Sequence, residues 1–520
     1  MSLEALRAKI SARLDRFSYT ALPTNKSKSA SESPSLALIP SASSTLALRD
    51  TLWRKPRFAR LFVYTAVGLS VLIGIAVYSS SHELLRKVAR PRPQHNPLSK
   101  EEYIEAILRN PVEGVLDPEP ISRKCNETQF QEGLVWHCDT VVGGIGNVGN
   151  MWLNCVRYAI EAGATTLILP TLGARSDNLV DLGNKDNAVD LSVLFDVDYF
   201  LDAWQQVCPQ MRAVVNDTDI TNLPGSTSHR SPHLQPANVK AFPMRKYLLV
   251  DPAGWREAFD SWLGGIIKQG PPMTAEAPVR VWQNMVLAQW NREASSNTPA
   301  FGNAFPRLFQ FPETTRRLAA SVLWNMEPEV GRPVISDSLR SSTTVSSTIE
   351  KTNHLTPGRL APDAYMGVHM RVAADAATAG WPGYEAQAPF FIAEAQRRNL
   401  STIYLATGSQ VHRDRFRADA AAAGLQVLTK EDLVNEEERA TLQTLIWDQQ
   451  ALVDFDVLVH SSFFYGFVRS SFSWAIALRR GTLPEAGPSQ VTDELGDEYR
   501  DNLSAVVGRH PNINPEGMWP

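Results

Sequence analysis

The chain has 520 residues, four cysteines and a formal net charge of −4, with 51 Lys and Arg against 55 Asp and Glu. Such a length calls for about two compact domains with non-globular flanks, and the near balance of charge supplies no basic field for gripping nucleic acid. The cysteines form no CxxC pair and no Cys/His cluster, which argues against a structural zinc site.

Residues 18–48 are rich in Ser, Ala, Pro and Thr and hold few large apolar side chains. They cannot bury enough surface to offset chain entropy, so residues 1–60 are read as a disordered cytosolic tail. The run LFVYTAVGLSVLIGIAVY, Leu61 to Tyr78, carries no charge and predicts a transmembrane helix over 61–79. Arg54, Lys55, Arg57 and Arg60 precede it while Arg86, Lys87, Arg90 and Arg92 follow, so flanking charge does not orient it. All four cysteines and the sequons at Asn126, Asn216, Asn399 and Asn502 lie on the C-terminal side. That side is read as lumenal and glycosylated, giving a single-pass type II protein of the Golgi or endoplasmic reticulum membrane. A proline-rich stem is expected over 80–120.

Cys125, Cys138, Cys155 and Cys208 suit two disulfides, of which three connectivities exist. The expected pairs are Cys125 with Cys138 and Cys155 with Cys208; four buried thiols are the alternative.

Beyond the stem the pattern alternates between helix and strand. Trp152, Cys155, Val156, Ala159 and Ile160 recur at helical spacing, Gly163 stops that helix, and TTLIL from Thr165 to Leu169 reads as a strand. After a Ser/Thr-rich stretch at 336–356, read as an interdomain linker, come AYMGVHMRV, the strand STIYLA, an alanine-rich helix near 410–423, the strand LQVL and a helix from about Glu431. This order predicts an N-terminal α/β domain over 121–350 and a C-terminal one over 351–520. Each is expected to be Rossmann-like and doubly wound, with ligand bound in the cleft between them.

Three constellations could carry chemistry. Gly143-Gly144-Ile145-Gly146-Asn147 opens a helix, where glycines allow close approach and free N–H groups favour an anion. In Tyr365-Met-Gly-Val-His369-Met-Arg371, followed by Asp375, period-two alternation places Gly367, His369 and Arg371 on one strand face. Arginine there suits bidentate phosphate capture, and a nearby carboxylate can accept from a purine edge. Finally, Arg469-Ser470-Ser471-Phe472-Ser473 precedes an apolar helix, whose N-terminus would make a second phosphate cradle.

Together these segments resemble the GDP-fucose protein O-fucosyltransferases from about Leu134 to Arg480, most thinly over 215–350. The family's G-x-G-N loop matches Gly144, Gly146 and Asn147; its H-x-R strand with a later Asp matches His369, Arg371 and Asp375; its S-S-F matches Ser470, Ser471 and Phe472. LFDVDYFLDAWQQVCP at 194–209 and YLATGSQ at 404–410 also resemble family segments, although Gly408 stands where the family has Asp.

The resemblance implies a GT-B-like enzyme transferring fucose from GDP-fucose to Ser or Thr hydroxyls of secretory-pathway proteins, with inversion and without a metal. Arg371 would bind the β-phosphate and assist its departure, Asn147 would sit at the reaction centre, and Gly144, Gly146, His369, Asp375, Ser470, Ser471 and Phe472 would hold the donor. The expected partners are a nucleotide-sugar donor, a protein or glycan acceptor, and the membrane through one helix. One alternative is a metal-dependent transferase using Asp196-Val-Asp198 or Asp454-Phe-Asp456; another is an inactive donor-binding chaperone or lectin.

Overall fold

Where a stem was expected, the chain from Ser99 onward folds into the body of the protein. Ser99 opens helix α1 (Lys100–Arg109) with a capping box: its hydroxyl accepts from Glu102 N–H at 3.3 Å, and the Glu102 carboxylate accepts from Ser99 N–H at 2.7 Å. Tyr103, Ile104, Ala106 and Ile107 recur along one face and are buried, with Tyr103 edge-on to Trp324 at 5.2 Å. Helix α2 (Glu119–Glu127) follows at once. Proline density suggested an extended spacer, but the apolar face beside it prevails.

This computed structural model describes residues 98–173, 175, 188–235, 239, 244–245, 247–285, 288–340, 358–489, 497–508 and 515–520. The cytosolic tail, the 61–79 helix and most of the Ser/Thr-rich linker lie outside them. Among the described residues no helix is long and apolar enough to cross a membrane. Arg92–Pro520 form one compact unit.

The first sheet contains β1 (Gln131–Cys138), β2 (Ala164–Ile168), β3 (Arg212–Val214), β4 (His233–Leu234) and β5 (Val279–Gln283), in the order β3-β2-β1-β5-β4. Every pairing is parallel. Helices α3 (Ile145–Ala162), α4 (Val197–Val207) and α5 (Trp255–Ile267) connect β1 to β2, β2 to β3, and β4 to β5. All three steps run the same way across the sheet, and the right-handed crossover rule then places all three helices on one face. Trp136 packs there against Phe259 at 5.6 Å, and Trp152 of α3 against Phe200 of α4 at 4.8 Å. On the opposite face Val135, Ile168 and Val214 are covered by Ile220 and Leu223 of the segment returning from β3. Among the described residues the helices of this sheet lie on one side, which corrects the expectation of two doubly wound sheets.

The disulfides join Cys125 to Cys208 and Cys138 to Cys155, not the expected neighbours. Cys138 ends β1, and α3 turns back over that strand so that Cys155 lies behind it; Cys125 on α2 meets Cys208 just after α4. For sequence separations of 83 and 17, loop-closure entropy gives about 4.5 and about 3 kcal/mol.

Helix α6 (Glu313–Val330) packs against the second half of the chain. That half holds β6 (Met366–Met370), β7 (Thr402–Thr407), β8 (Gln426–Leu428), β9 (Phe463–Phe467), β10 (Asp497–Arg500) and β11 (Ser504–Val507), in the order β8-β7-β6-β9-β11-β10. All pairs are parallel except β10 with β11. Helices α7 (Ala388–Arg397) and α8 (Gln410–Ala422) serve the steps from β6 to β8, and α9 (Trp447–Val459) and α10 (Ser471–Gly481) serve β9 and β11. Met366, Val368, Met370 and Val372 pack with Phe391 and Phe416 of α7 and α8, as the period-two reading requires, while Leu452 and Leu458 of α9 join the main core. The connections diverge between β6 and β9, which makes their C-terminal ends a topological switch point.

The chain then returns to the first half. Asn150 and Asn154 of α3 hold residues 517–519: Trp519 N–H donates to Asn150 Oδ1 at 3.0 Å, and Asn154 Nδ2 donates to Gly517 O at 3.2 Å. Trp519 packs edge-on against Phe305. The final residues thus pack with the first sheet's helices rather than within an all-C-terminal domain.

Candidate active site

The N-termini of helices α3 and α10 meet. Gly144 caps α3 with extended backbone, φ −76° and ψ 164°, and offers no capping side chain. A Cβ on Gly146 would lie 2.5 Å from the Ser471 carbonyl and 2.7 Å from Phe472 N, so this glycine lets α3 touch the start of α10. Glycine was expected there for a ligand's sake; the close approach is between two backbones. Gly143, at φ +106°, supplies the left-handed turn before them.

Around this junction lies a cleft of about 990 Å³. Its walls include Gly144, Gly146, Asn147, His369, Arg371, Asp375, Ser470, Ser471 and Phe472, so all nine anticipated donor and catalytic residues share one cavity. Asn147 is exposed in the first turn of α3. Ser470 is 3 % exposed and stands at the N-cap of α10 without making a capping bond, which leaves two hydroxyls and the first-turn N–H groups facing the cavity. Ser473, one turn on, is engaged: its hydroxyl accepts from Phe467 N–H at 3.0 Å and meets His369 Nδ1 at 2.8 Å.

Arg371 and Asp375, expected to grip different parts of the donor, grip one another. The guanidinium makes a two-pronged contact, Nη1 to Oδ1 at 2.6 Å and Nη2 to Oδ2. Buried Gln387 pins the Arg371 backbone, accepting from its N–H at 2.9 Å and donating to its carbonyl at 3.0 Å. Burial pushes the Asp375 carboxyl up, but the hydrogen bonds and charge of Arg371 hold it below the usual range. Arg175, reaching in from the first half, lies 3.4 Å from Asp375 and 3.4 Å from Asp448. Burial leaves Asp448 above its ordinary pKa although Arg175 pulls it down.

Sequence reasoning passed over Arg175, Asp448 and the role of Arg469. Nothing local marks the first two, which are brought together by tertiary structure alone. Arg469 lay within a quoted motif. It lines the cleft beside Ser470, and no described residue makes a hydrogen bond or ion pair with its guanidinium. In the Asp-x-Asp spellings, Asp454 takes Lys430 Nζ and the Tyr404 hydroxyl, each at 2.7 Å, whereas Asp456 lines a separate cavity; Asp196 caps α4 through Tyr199 N–H at 3.0 Å.

Burial, then the charge of Arg371, holds His369 down at about pKa 3, with Asp375 opposing. At neutral pH His369 is an uncharged hydrogen-bonding group. His137, half-buried beside Arg280, is likewise held at about 3 by desolvation and the Arg280 charge. Both take up protons more readily when unfolded, near 6.5, so stability is complete above that pH and falls as pH drops from 6.5 towards 3. Thermal melts at pH 7.0 and 5.0 are expected to show a lower midpoint in acid, with a smaller difference in His369→Asn; equal pH dependence in the variant would remove His369 from the account.

The four sequon asparagines, Asn126, Asn216, Asn399 and Asn502, are all exposed. Glycan attachment requires that exposure.

No family model and no curated protein matches the chain. The solved structures it is similar to include fucosyltransferases. One is POFUT1 in complex with GDP-fucose, at 11 % identity and a TM-score of 0.40 over 72 % of this chain and 99 % of that one. Another is an Arabidopsis thaliana FUT1 mutant in complex with GDP, at 11 % identity and a TM-score of 0.35 over 82 % of this chain and 89 % of that one. A third is the fucosyltransferase NodZ from Bradyrhizobium, at 13 % identity and a TM-score of 0.32 over 68 % and 93 %.

Proposed function

We propose that the chain is a GT-B-like, inverting glycosyltransferase that moves fucose from GDP-fucose to Ser or Thr hydroxyls of secretory-pathway proteins. The observation that carries this reading is the convergence of Arg371, Arg469, Ser470, Ser471 and the α10 N-terminus at a topological switch point, opposite Asn147 on α3. Such a set suits a diphosphate. Fucose as the sugar and a Ser or Thr acceptor come from the motif resemblance.

In this reading the acceptor oxygen forms a bond to the anomeric carbon as the carbon–oxygen bond to the β-phosphate breaks. GDP leaves with that electron pair, and the departing diphosphate takes the proton that the acceptor hydroxyl gives up. Charge grows on the diphosphate during departure, so fixed guanidinium and N–H donors favour the transition state over the bound donor. Asn147 orients the acceptor hydroxyl. The cleft's carboxylates are engaged elsewhere, Asp375 and Asp448 with arginines and both Asp454 and Glu431 with Lys430, which suits catalysis through the leaving group.

A type II anchor at 61–79, with the catalytic body in the Golgi or endoplasmic reticulum lumen, belongs to the same proposal. Two disulfides and four exposed sequons support it. Calorimetric titration of the full-length chain with GDP, UDP and CMP, in chelator, is expected to give binding by GDP alone. Binding of UDP only when manganese is added would replace this donor assignment with a metal-dependent one.

A further inference from the structure

Gly408 breaks the resemblance, since the family carries a carboxylate there. The structure shows what fills the space. A Cβ on Gly408 would lie 2.7 and 2.8 Å from Cζ2 and Cη2 of Trp447 and 3.1 Å from the Ala373 Cβ. The edge of the indole therefore rests on the bare backbone just beyond β7, beside the segment that leaves β6. Trp447 is the first residue of α9 and lines the donor cleft, yet it remains 39 % exposed.

Its position is fixed from both sides. The next residue, Asp448, is held by Arg175, which also meets Asp375, the partner of Arg371. Two residues on, Gln449 accepts from Ile446 N–H at 3.1 Å and donates to Val193 O at 3.0 Å. A large ring is thus placed by a chain of ion pairs that begins at the phosphate-facing arginine. An exposed indole leaves apolar ring area in water that a flat ligand would bury.

We propose that Trp447 is the stacking platform for the nucleobase of the donor, and that Gly408 is kept without a side chain to seat it. The proposal rests on the nucleotide-sugar reading and names the element of that site that takes the base. An indole contacts ring area where a carboxylate would contact a hydrogen-bonding edge. Stacking is tolerant of base identity because every base has a π-face, so the platform supplies affinity for a base and leaves the choice between bases to groups that meet its edge.

Titrations of the full-length chain in detergent with GDP and with inorganic pyrophosphate test this. Trp447→Ala is expected to weaken GDP roughly ten- to a hundred-fold, the usual loss for a stacked base, and to leave pyrophosphate unchanged. Trp447→Phe is expected to stay within a few-fold of wild type. Gly408→Asp, which must displace the ring, is expected to lose GDP affinity as Trp447→Ala does, and the double variant no more than either. Equal GDP affinity in wild type and Trp447→Ala would overturn the platform alone. An equal fall for GDP and pyrophosphate would also overturn it, because a collapsed cleft loses both. Failure of the wild type to bind GDP would instead end the donor reading, and the platform with it.

Discussion

Replacing Arg371 with Ala is expected to lower GDP release from GDP-fucose by roughly a hundred- to a thousand-fold, the usual loss when one fixed donor to developing charge is removed. The loss should fall on kcat more than on GDP affinity, because Arg469, Ser470, Ser471 and the α10 N-terminus still hold the ground-state diphosphate. Arg371→Lys keeps the charge but not the planar fork that meets Asp375 through both nitrogens, so only part of the rate should return. Asp375 would keep Arg175 as a neighbour at 3.4 Å, and the Arg371 side chain is about a fifth exposed, at 21 %; its loss should change the melting temperature little. An Arg371→Ala chain that released GDP at the wild-type rate would remove Arg371 from the mechanism.

That the nine anticipated positions would gather in one cleft was legible in the sequence because each sits next to a chain landmark that local physics specifies: a strand end, a glycine turn or a helix start. Period-two alternation alone put His369 and Arg371 on the strand face opposite Met366, Val368 and Met370, which pack against α7 and α8. What those residues do to one another was not legible. The two-pronged contact between Arg371 and Asp375 joins residues four apart, but nothing in that spacing says that the pair will close on itself. Arg175 and Asp448 are 273 residues apart and share a contact only because the two sheets face a common cleft.

The errors in reading the fold have the same source. Cysteine pairing by proximity along the chain failed because α3 folds back over β1 and brings Cys155 behind Cys138. Helices in the first half can be recognised from their apolar stripes. That they all lie on one face follows from strand order, and strand order is not written locally. The packed helix at Lys100–Arg109 is a different case, since Ser99-Lys-Glu-Glu102 and the apolar residues after it spell a capped amphipathic helix. Neighbouring prolines masked that signal.

Gly146→Ala puts the assembly of the cleft to a sharper test than any loss of a polar group. Its new methyl would sit 2.5 Å from the carbonyl carbon and oxygen of Ser471 and 2.7 Å from Phe472 N, roughly 1 Å inside normal contact. All of these are backbone atoms, so no side chain can rotate away, and α3 and α10 must move apart. The helix itself gains from alanine, so any loss belongs to the junction. A destabilisation of about 1–3 kcal/mol is expected from overpacking, with a fall in kcat of roughly a hundred-fold, because a 1 Å displacement separates Asn147 from the phosphate-holding serines. Gly144→Ala is the control, since its backbone is ordinary and a Cβ would come only within 3.5 Å of Arg175 Nη1. Melting curves for the two variants should therefore diverge, with Gly144→Ala near wild type. If Gly146→Ala kept both its melting temperature and its rate, the two helix starts would have to meet less closely than this, and the diphosphate cradle would not depend on their contact.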